Sequence, residues 1–205
     1  MKKKFKVVGS LTWIERIVLI ILPILVVILA MGIGRMVISP VEVLKSTFEK
    51  FGYDYSINPQ NEIVLWTIRF PRIILALLVG AGLSVAGCAF QSLFSNPLAT
   101  PDTLGVASGT SFGAALGILM GFSLIGIQFS ALLFGIIAVS LTYLSGTGKG
   151  HSMNTIVLAG IMIGSLFSAL VSFTKFVADS ESQLPAITYW LMGSLSSASY
   201  KTLML

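Results

Sequence analysis

The chain has 205 residues, of which 55% are hydrophobic and only 10% are charged, and its formal net charge is +5. Soluble domains carry about 25% charged residues, so this composition excludes a water-soluble globular protein. The basic residues are scattered and form no basic face with interleaved aromatic residues, which excludes nucleic acid as a partner. A mean hydropathy of +0.94 instead indicates a protein embedded in membrane lipid.

Long apolar stretches predict five complete membrane spans and the beginning of a sixth. A helix needs about 20 apolar residues to cross the hydrocarbon. The predicted spans are 17–34, 73–90, 104–122, 126–144 and 155–174, and a sixth begins near Tyr200. The stretch 186–199 is too short and too rich in serine to cross, so a short surface helix is expected there. The predicted fold class is all-α, a polytopic transmembrane helical bundle.

Basic residues near the N-terminus predict its orientation. The Lys-rich start followed by an apolar run is typical of a signal peptide, but the run is long and no Ala-x-Ala site follows, so we expect a retained helix. Lysine and arginine concentrate in cytoplasmic flanks, which places the N-terminus in the cytoplasm. The loop 35–72 then lies outside. It nevertheless carries Arg35, Lys45, Lys50, Arg69 and Arg72, and these outer basic residues require an explanation.

Small residues recur every four positions in three of the predicted spans. This spacing keeps them on one helix face, where a neighbouring backbone can approach closely. We expect three packing seams in a tight bundle, with the lining of a transport pathway as the alternative. The residues are Ala76, Gly80, Ser84 and Cys88 in the second span, Gly105, Gly109, Gly113, Gly117 and Gly121 in the third, and Gly160, Gly164, Ser168 and Ser172 in the fifth.

One motif leaves an enzymatic alternative open. Gly109-Thr-Ser111-Phe-Gly113 fits the G-x-S-x-G pattern of serine hydrolases, which requires a strand–turn–helix elbow and a histidine partner. Here it lies inside a predicted span, and His151, the only histidine, lies two segments away. An intramembrane serine protease is therefore a minor alternative, which Ser111→Ala would test. No charged residue lies deep in a span, which argues against an ion-coupled carrier, and no metal-ligand cluster occurs. The sequence predicts no catalytic residue and no metal site.

A set of motifs follows in order from residue 69 to residue 195. The elements are Arg69-Phe-Pro-Arg72, Val79-Gly-Ala81, Gln91, Asn96-Pro-Leu-Ala99, Pro101, Leu104-Gly105, Leu158-Ala-Gly160 and Trp190-Leu-Met-Gly193-Ser-Leu195. Together they resemble the permease subunits of bacterial ABC importers for iron-siderophores, haem and vitamin B12, the FecCD-type family. R-x-P-R before a span and N-P-L-A after it make the ordered set specific.

The resemblance implies a transport subunit of the bacterial cytoplasmic membrane that works by alternating access. Such permeases form homo- or heterodimers, bind cytoplasmic ATPase subunits and receive substrate from an extracytoplasmic binding (lipo)protein. ATP is then bound by the ATPase partner, and no cofactor is expected in this chain. The expected substrate is an iron-siderophore, with vitamin B12 or haem as the alternative, since no residue names the substrate. A non-transporting structural membrane protein is a further alternative.

The resemblance also implies site residues. In the family, the R-x-P-R arginines meet acidic residues of the binding protein, and they map onto Arg69 and Arg72. Interfacial snorkelling of both arginines is the alternative. A cytoplasmic gate maps onto Asn96 and Leu98 and, by counting back from Leu158, onto Met153 and Asn154. This last pair departs from the small hydroxyl residues that the family pattern predicts.

Length sets a further expectation. Family members run to about 330 residues with about ten spans. We therefore expect residues 1–205 to be the N-terminal part of a single permease domain, either a fragment or a truncated product. The region that grips the ATPase follows the sixth span and would be absent. The chain is then expected to insert into the membrane without energising transport by itself.

Overall fold

The computed structural model describes residues 12–53, 55, 57–97, 100–146 and 153–204, with side chains of the last range from Thr155 onward. All regular structure within these residues is helical, which confirms the predicted all-α class. Residues up to 77 form one compact unit together with residues 196–204, and residues 78–195 form a second unit.

The first unit begins with an apolar helix and a short amphipathic one. Helix α1 (Trp13–Gly32) starts with a capping box, in which Glu15 N–H donates to Thr12 Oγ1 and Thr12 N–H donates to Glu15 Oε2. Helix α2 (Pro40–Lys50) starts after Ser39, whose hydroxyl accepts from Glu42 N–H at 3.2 Å. The hydropathy pattern did not predict α2, because a helix with one polar face has a low average hydropathy.

A single continuous helix runs from Pro59 to Phe94. It comprises α3 (Pro59–Ile63), a π-helical turn (Val64–Arg69) and α4 (Phe70–Phe94). At 1.5 Å per residue its 36 residues measure about 54 Å, whereas the hydrocarbon is about 30 Å thick. Part of this helix must therefore extend beyond the hydrocarbon. The predicted span 73–90 lies within α4.

The second unit continues with four helices and a 3₁₀ turn. The turn (Pro101–Leu104) leads into α5 (Val106–Leu119), which is followed by α6 (Leu124–Gly146), α7 (Met153–Val177) and α8 (Gln183–Met192). Helix α8 matches the predicted short helix in kind, although it begins earlier. Helix α9 (Tyr200–Leu203) belongs to the first unit and begins where the sixth span was predicted.

Four helices in the described part of the chain are long and apolar enough to cross a membrane: Trp13–Gly32, Pro59–Phe94, Leu124–Gly146 and Thr155–Val177. Helix α5, in the region of the third predicted span, has 14 residues and is about 21 Å long, which is shorter than the hydrocarbon thickness. The prediction of five complete spans therefore stays a prediction.

Polar side chains bind backbone carbonyls inside the second unit. Ser130 Oγ of α6 donates to Gly113 O at 2.7 Å, and Thr142 Oγ1 donates to Leu104 O at 3.0 Å. Serine and threonine are suited to this position because their side chains are small and their hydroxyl groups can donate to a backbone carbonyl within a tight contact between helices. Phe112, Phe134 and Phe167 bring α5, α6 and α7 together, with ring centroids between 4.9 and 6.4 Å apart.

Candidate functional site

Arg69 lies at the end of the π-helical turn and binds two backbone carbonyls. Its Nη1 donates to Met31 O, in the last turn of α1, and its Nη2 donates to Met36 O, in the turn that follows α1. The last carbonyls of a helix have no donor within the helix, so an arginine at this position satisfies one of them. The guanidinium of Arg69 thus fastens the end of α1 to the π-helical turn of the long helix.

Pro71 creates a second point of attachment. Phe70 N–H donates to Leu65 O, five residues back, as a π-helix requires. The next donor in this pattern would be Pro71, which has no N–H and leaves Trp66 O without a helical partner. The hydroxyl of Tyr200 donates to Trp66 O at 2.6 Å. The proline of R-x-P-R therefore provides the acceptor that holds α9.

Arg72 makes a third attachment and borders a cavity. Its Nη2 donates to Ser196 O at 2.7 Å. A cavity of about 530 Å³ opens beside it, lined by Arg35, Arg69 and Arg72 together with apolar side chains that include Ile33 and Ile68. The planar guanidinium matches a carboxylate geometrically, so this cavity can receive an anionic group.

Helix α2 is attached to the long helix by side-chain hydrogen bonds that were not predicted from the sequence. Trp66 Nε1 donates to Ser46 Oγ at 2.8 Å, and Lys50 Nζ donates to Glu62 Oε1 at 2.6 Å. The hydrogen bond to Glu62 raises the pKa of Lys50 above its usual value. A signal was present in the sequence, since Ser39-Pro40 is a typical helix start.

The predicted packing glycines of α5 lie against α6. A Cβ at Gly109 would come 2.6 Å from Ala138 Cβ, and one at Gly113 would overlap Ser130 O. At Gly117 the contact is looser, since the nearest atom would lie 3.3 Å away. Any larger side chain at the first two positions would force the two helices apart.

The glycines of α7 lie against the 3₁₀ turn and the start of α5. A Cβ at Gly160 would overlap Thr103 O, whereas one at Gly164 would meet Gly105 Cα at an ordinary 3.5 Å. Gly105 has φ +71°, where a Cβ would also come 2.9 Å from Gly164 N. Its side chain is therefore excluded both by backbone conformation and by the close approach of α7.

Gly121 requires a correction, because it does not pack against a neighbouring helix. Nothing lies within 4 Å of a Cβ built there, and α5 has already ended at Leu119. Gly121 has φ +71°, its N–H donates to Ile118 O, and Phe122 N–H donates to Gly117 O. These bonds form a Schellman motif, so this glycine terminates α5.

Comparison with known proteins decides the family. The model of the FecCD transport family matches residues 20–205, nearly the whole chain. The chain belongs to the FecCD transport family. The predicted family is thereby confirmed.

Relatives of this FecCD chain differ in the substrates for which they are named. It is 37% identical over 187 residues to the molybdate import system permease protein MolB of Haemophilus influenzae, covering 91% of this chain and 55% of MolB. It is 35% identical over 195 residues to the hemin transport system permease protein HmuU of Yersinia pestis, covering 92% and 56%. Other relatives are named for iron chelatin and for vitamin B12.

A solved structure has the same fold. It is described as an inward-facing conformation of an ABC transporter of metal-chelate type, with a TM-score of 0.75 and 36% identity, covering 91% of this chain and 55% of that one. The FecCD chain spans about half the length of the curated relatives it matches. Family membership and four long apolar helices make it a multi-pass membrane protein.

Of the four predicted gate residues of the FecCD chain, Asn96 is the one whose side chain lies in the described part of the chain. Asn96 lies just after α4, next to Pro97, whose carbonyl accepts from Gln91 Nε2 at 3.0 Å. Leu98 lies outside the described residues, as do the side chains of Met153 and Asn154 at the start of α7. The gate therefore stays a prediction.

Ser111, the nucleophile of the alternative reading, lies within α5. The two glycines of its motif, Gly109 and Gly113, both lie where a Cβ would press against α6. A nucleophile elbow requires a strand followed by a sharp turn, and α5 provides neither. His151 lies outside the described residues. The two glycines of this G-x-S-x-G pattern therefore allow α5 to pack closely against α6.

Proposed function

We propose that this chain forms part of the permease subunit of an ATP-driven importer for an iron chelate of siderophore type. The observation that carries the proposal is its agreement, over 91% of the chain, with a solved ABC transporter of metal-chelate type. Relatives named for iron chelatin and hemin support an iron-bearing substrate, whereas a relative that covers more of this chain than the iron chelatin protein does is named for molybdate. Vitamin B12 or haem is the alternative within the same fold.

The proposed partners are cytoplasmic ATPase subunits, a second permease subunit and an extracytoplasmic binding protein. ATP would be hydrolysed by the ATPase subunits, and its energy would drive alternation between inward- and outward-facing states. Placing the N-terminus in the cytoplasm puts the arginine-lined cavity at the outer surface, where a binding protein delivers substrate. Complementary charge at such a surface increases the rate of encounter and selects the partner.

Transport tests this proposal directly. The permease encoded by the gene that carries this chain is reconstituted in liposomes with the ATPase and binding protein encoded beside it. We expect ATP-dependent uptake of labelled iron-siderophore, and none with a hydrolysis-deficient ATPase. Parallel arms contain haem, vitamin B12 and molybdate. Uptake of one of these instead would contradict the substrate, and no ATP-dependent uptake in any arm would contradict the permease function.

The proposed gate predicts a one-sided labelling pattern. In a Cys88→Ser background, Asn96→Cys and Leu98→Cys should react with an impermeant maleimide only from the cytoplasmic side, at a rate that ATP alters because the constriction opens. Val37→Cys is the control. Val37 follows the first span, on the proposed outer side of the membrane, and is 87% exposed, so it should react only from outside. Labelling of residue 96 or 98 from outside would refute both the orientation and the gate.

A further inference from the structure

The proline at position 71 accounts for both the π-helical turn and its free acceptor. In an α-helix the ring of Pro71 would clash with the carbonyl of Thr67, so the turn before it widens. In the π-helical register the carbonyl of Trp66 would accept from the N–H of residue 71, and proline has none. Tyr200 Oη donates to Trp66 O at 2.6 Å instead. The bond from α9 therefore depends on the absence of one N–H group in the long helix.

Trp66 connects this acceptor to α2. Its Nε1 donates to Ser46 Oγ at 2.8 Å, and the centroid of its ring lies 4.9 Å from that of Phe70. One residue thus binds α2 through its side chain and α9 through its backbone. A movement of α9 that pulls on the carbonyl is thereby transmitted to α2.

Helix α9 has a cap of its own and little packing. Thr202 N–H donates to Ser199 Oγ at 3.4 Å, and Ser199 N–H donates to Thr202 Oγ1 at 2.8 Å. None of the four residues of α9, Tyr200–Leu203, is buried. Segments with few buried apolar contacts open locally at a low cost in free energy. Because the cap lies within the segment itself, separation of α9 from the long helix does not break it.

We propose that Tyr200 Oη and Trp66 O form a conformational latch. In the closed state, seen in this structure, the latch holds the first residue of α9 on the long helix. In the open state residues 199–204 are free to move, and water donates to Trp66 O. One hydroxyl–carbonyl bond changes an equilibrium constant about fivefold, so a change of transport state can open the latch. This role in transport rests on the proposed importer function.

Hydrogen exchange of the complete permease in nanodiscs tests the latch. Tyr200→Phe should increase the exchange rate of the amides of residues 199–204 about fivefold, because it removes one hydrogen bond. Tyr189→Phe is the matched control, since it removes the same hydroxyl group from a side chain of α8 that is 75% exposed. This control should leave the rate unchanged. An exchange rate that Tyr200→Phe does not alter would refute the latch.

Pro71→Ala tests whether the proline controls the latch. In a π-helical register the added N–H would donate to Trp66 O, and in an α-helical register Phe70 N–H would do so. Trp66 O then has a donor within the helix and no longer needs Tyr200. Pro71→Ala should therefore increase exchange as much as Tyr200→Phe does, and the double variant should exchange no faster than either single variant. Effects that multiply would show two independent contributions and refute the link.

The transport cycle tests the conformational role. The exchange rate of residues 199–204 should differ between the nucleotide-free complex with the ATPase and the complex trapped with ATP and vanadate, because the two states favour different positions of the latch. Tyr200→Phe should exchange rapidly in both states. Equal rates in the two wild-type states would show a static attachment and overturn the latch. Failure of the ATPase to bind would instead refute the proposed function, while the measurements without ATPase still decide whether the bond holds α9.

Discussion

Gly160→Ala should destabilise the permease by about 2–3 kcal/mol, although alanine is the better helix former. The added methyl group would overlap Thr103 O and come 3.0 Å from Leu104 Cα, and both obstacles are backbone atoms. Backbone cannot move aside as the end of a flexible side chain can, so α7 must separate from the 3₁₀ turn. Thermal unfolding of the purified permease in nanodiscs measures the loss.

Gly164→Ala is the matched control, four residues along the same face of α7. Its methyl group would lie 3.5 Å from Gly105 Cα and 3.7 Å from Ser108 Oγ, both ordinary contacts. This variant should be as stable as wild type or slightly more stable, because alanine favours the helix. Equal destabilisation by the two substitutions would show that the approach at residue 160 is not the cause.

The sequence predicted the long apolar helices well because hydropathy responds to the property that a membrane span needs. The predicted third span, 104–122, extends beyond α5 at both ends, because this apolar run contains two positions where the backbone leaves the helix. Gly105 has φ +71° before α5, and Gly121 has φ +71° after it. Both positions carry glycine, and a four-residue glycine spacing looks the same whether the glycine packs or ends a helix.

The surroundings of the arginines could not be predicted from the sequence. The partners of Arg69 and Arg72 are the backbone carbonyls of Met31, Met36 and Ser196. Every residue has such a carbonyl, so no residue type in the sequence marks which one an arginine will bind. Spacing and charge identified the two arginines as special, but only the folded chain shows that both side chains bind backbone carbonyls.

Arg69→Glu should destabilise the permease by about 3 kcal/mol, far more than the reversal of an exposed surface charge would. The substitution removes two donors from Met31 O and Met36 O and directs a carboxylate at those carbonyls. The end of α1 would then lose these hydrogen bonds to the long helix and keep only apolar contacts such as those in the cluster of Met31 and Leu65. The measurement is the unfolding midpoint of the permease in nanodiscs, with Arg69→Gln expected to fall between wild type and Arg69→Glu.

Arg72→Glu is the comparison that separates an internal fastening from a docking contact. Arg72 is exposed and donates one hydrogen bond of 2.7 Å to Ser196 O, so its reversal should cost about 1 kcal/mol or less. If Arg69 instead faced the binding protein, both reversals would leave stability nearly unchanged and both would weaken docking equally. A large loss of stability confined to Arg69→Glu would show that the two arginines of R-x-P-R, one helical turn apart, have different tasks.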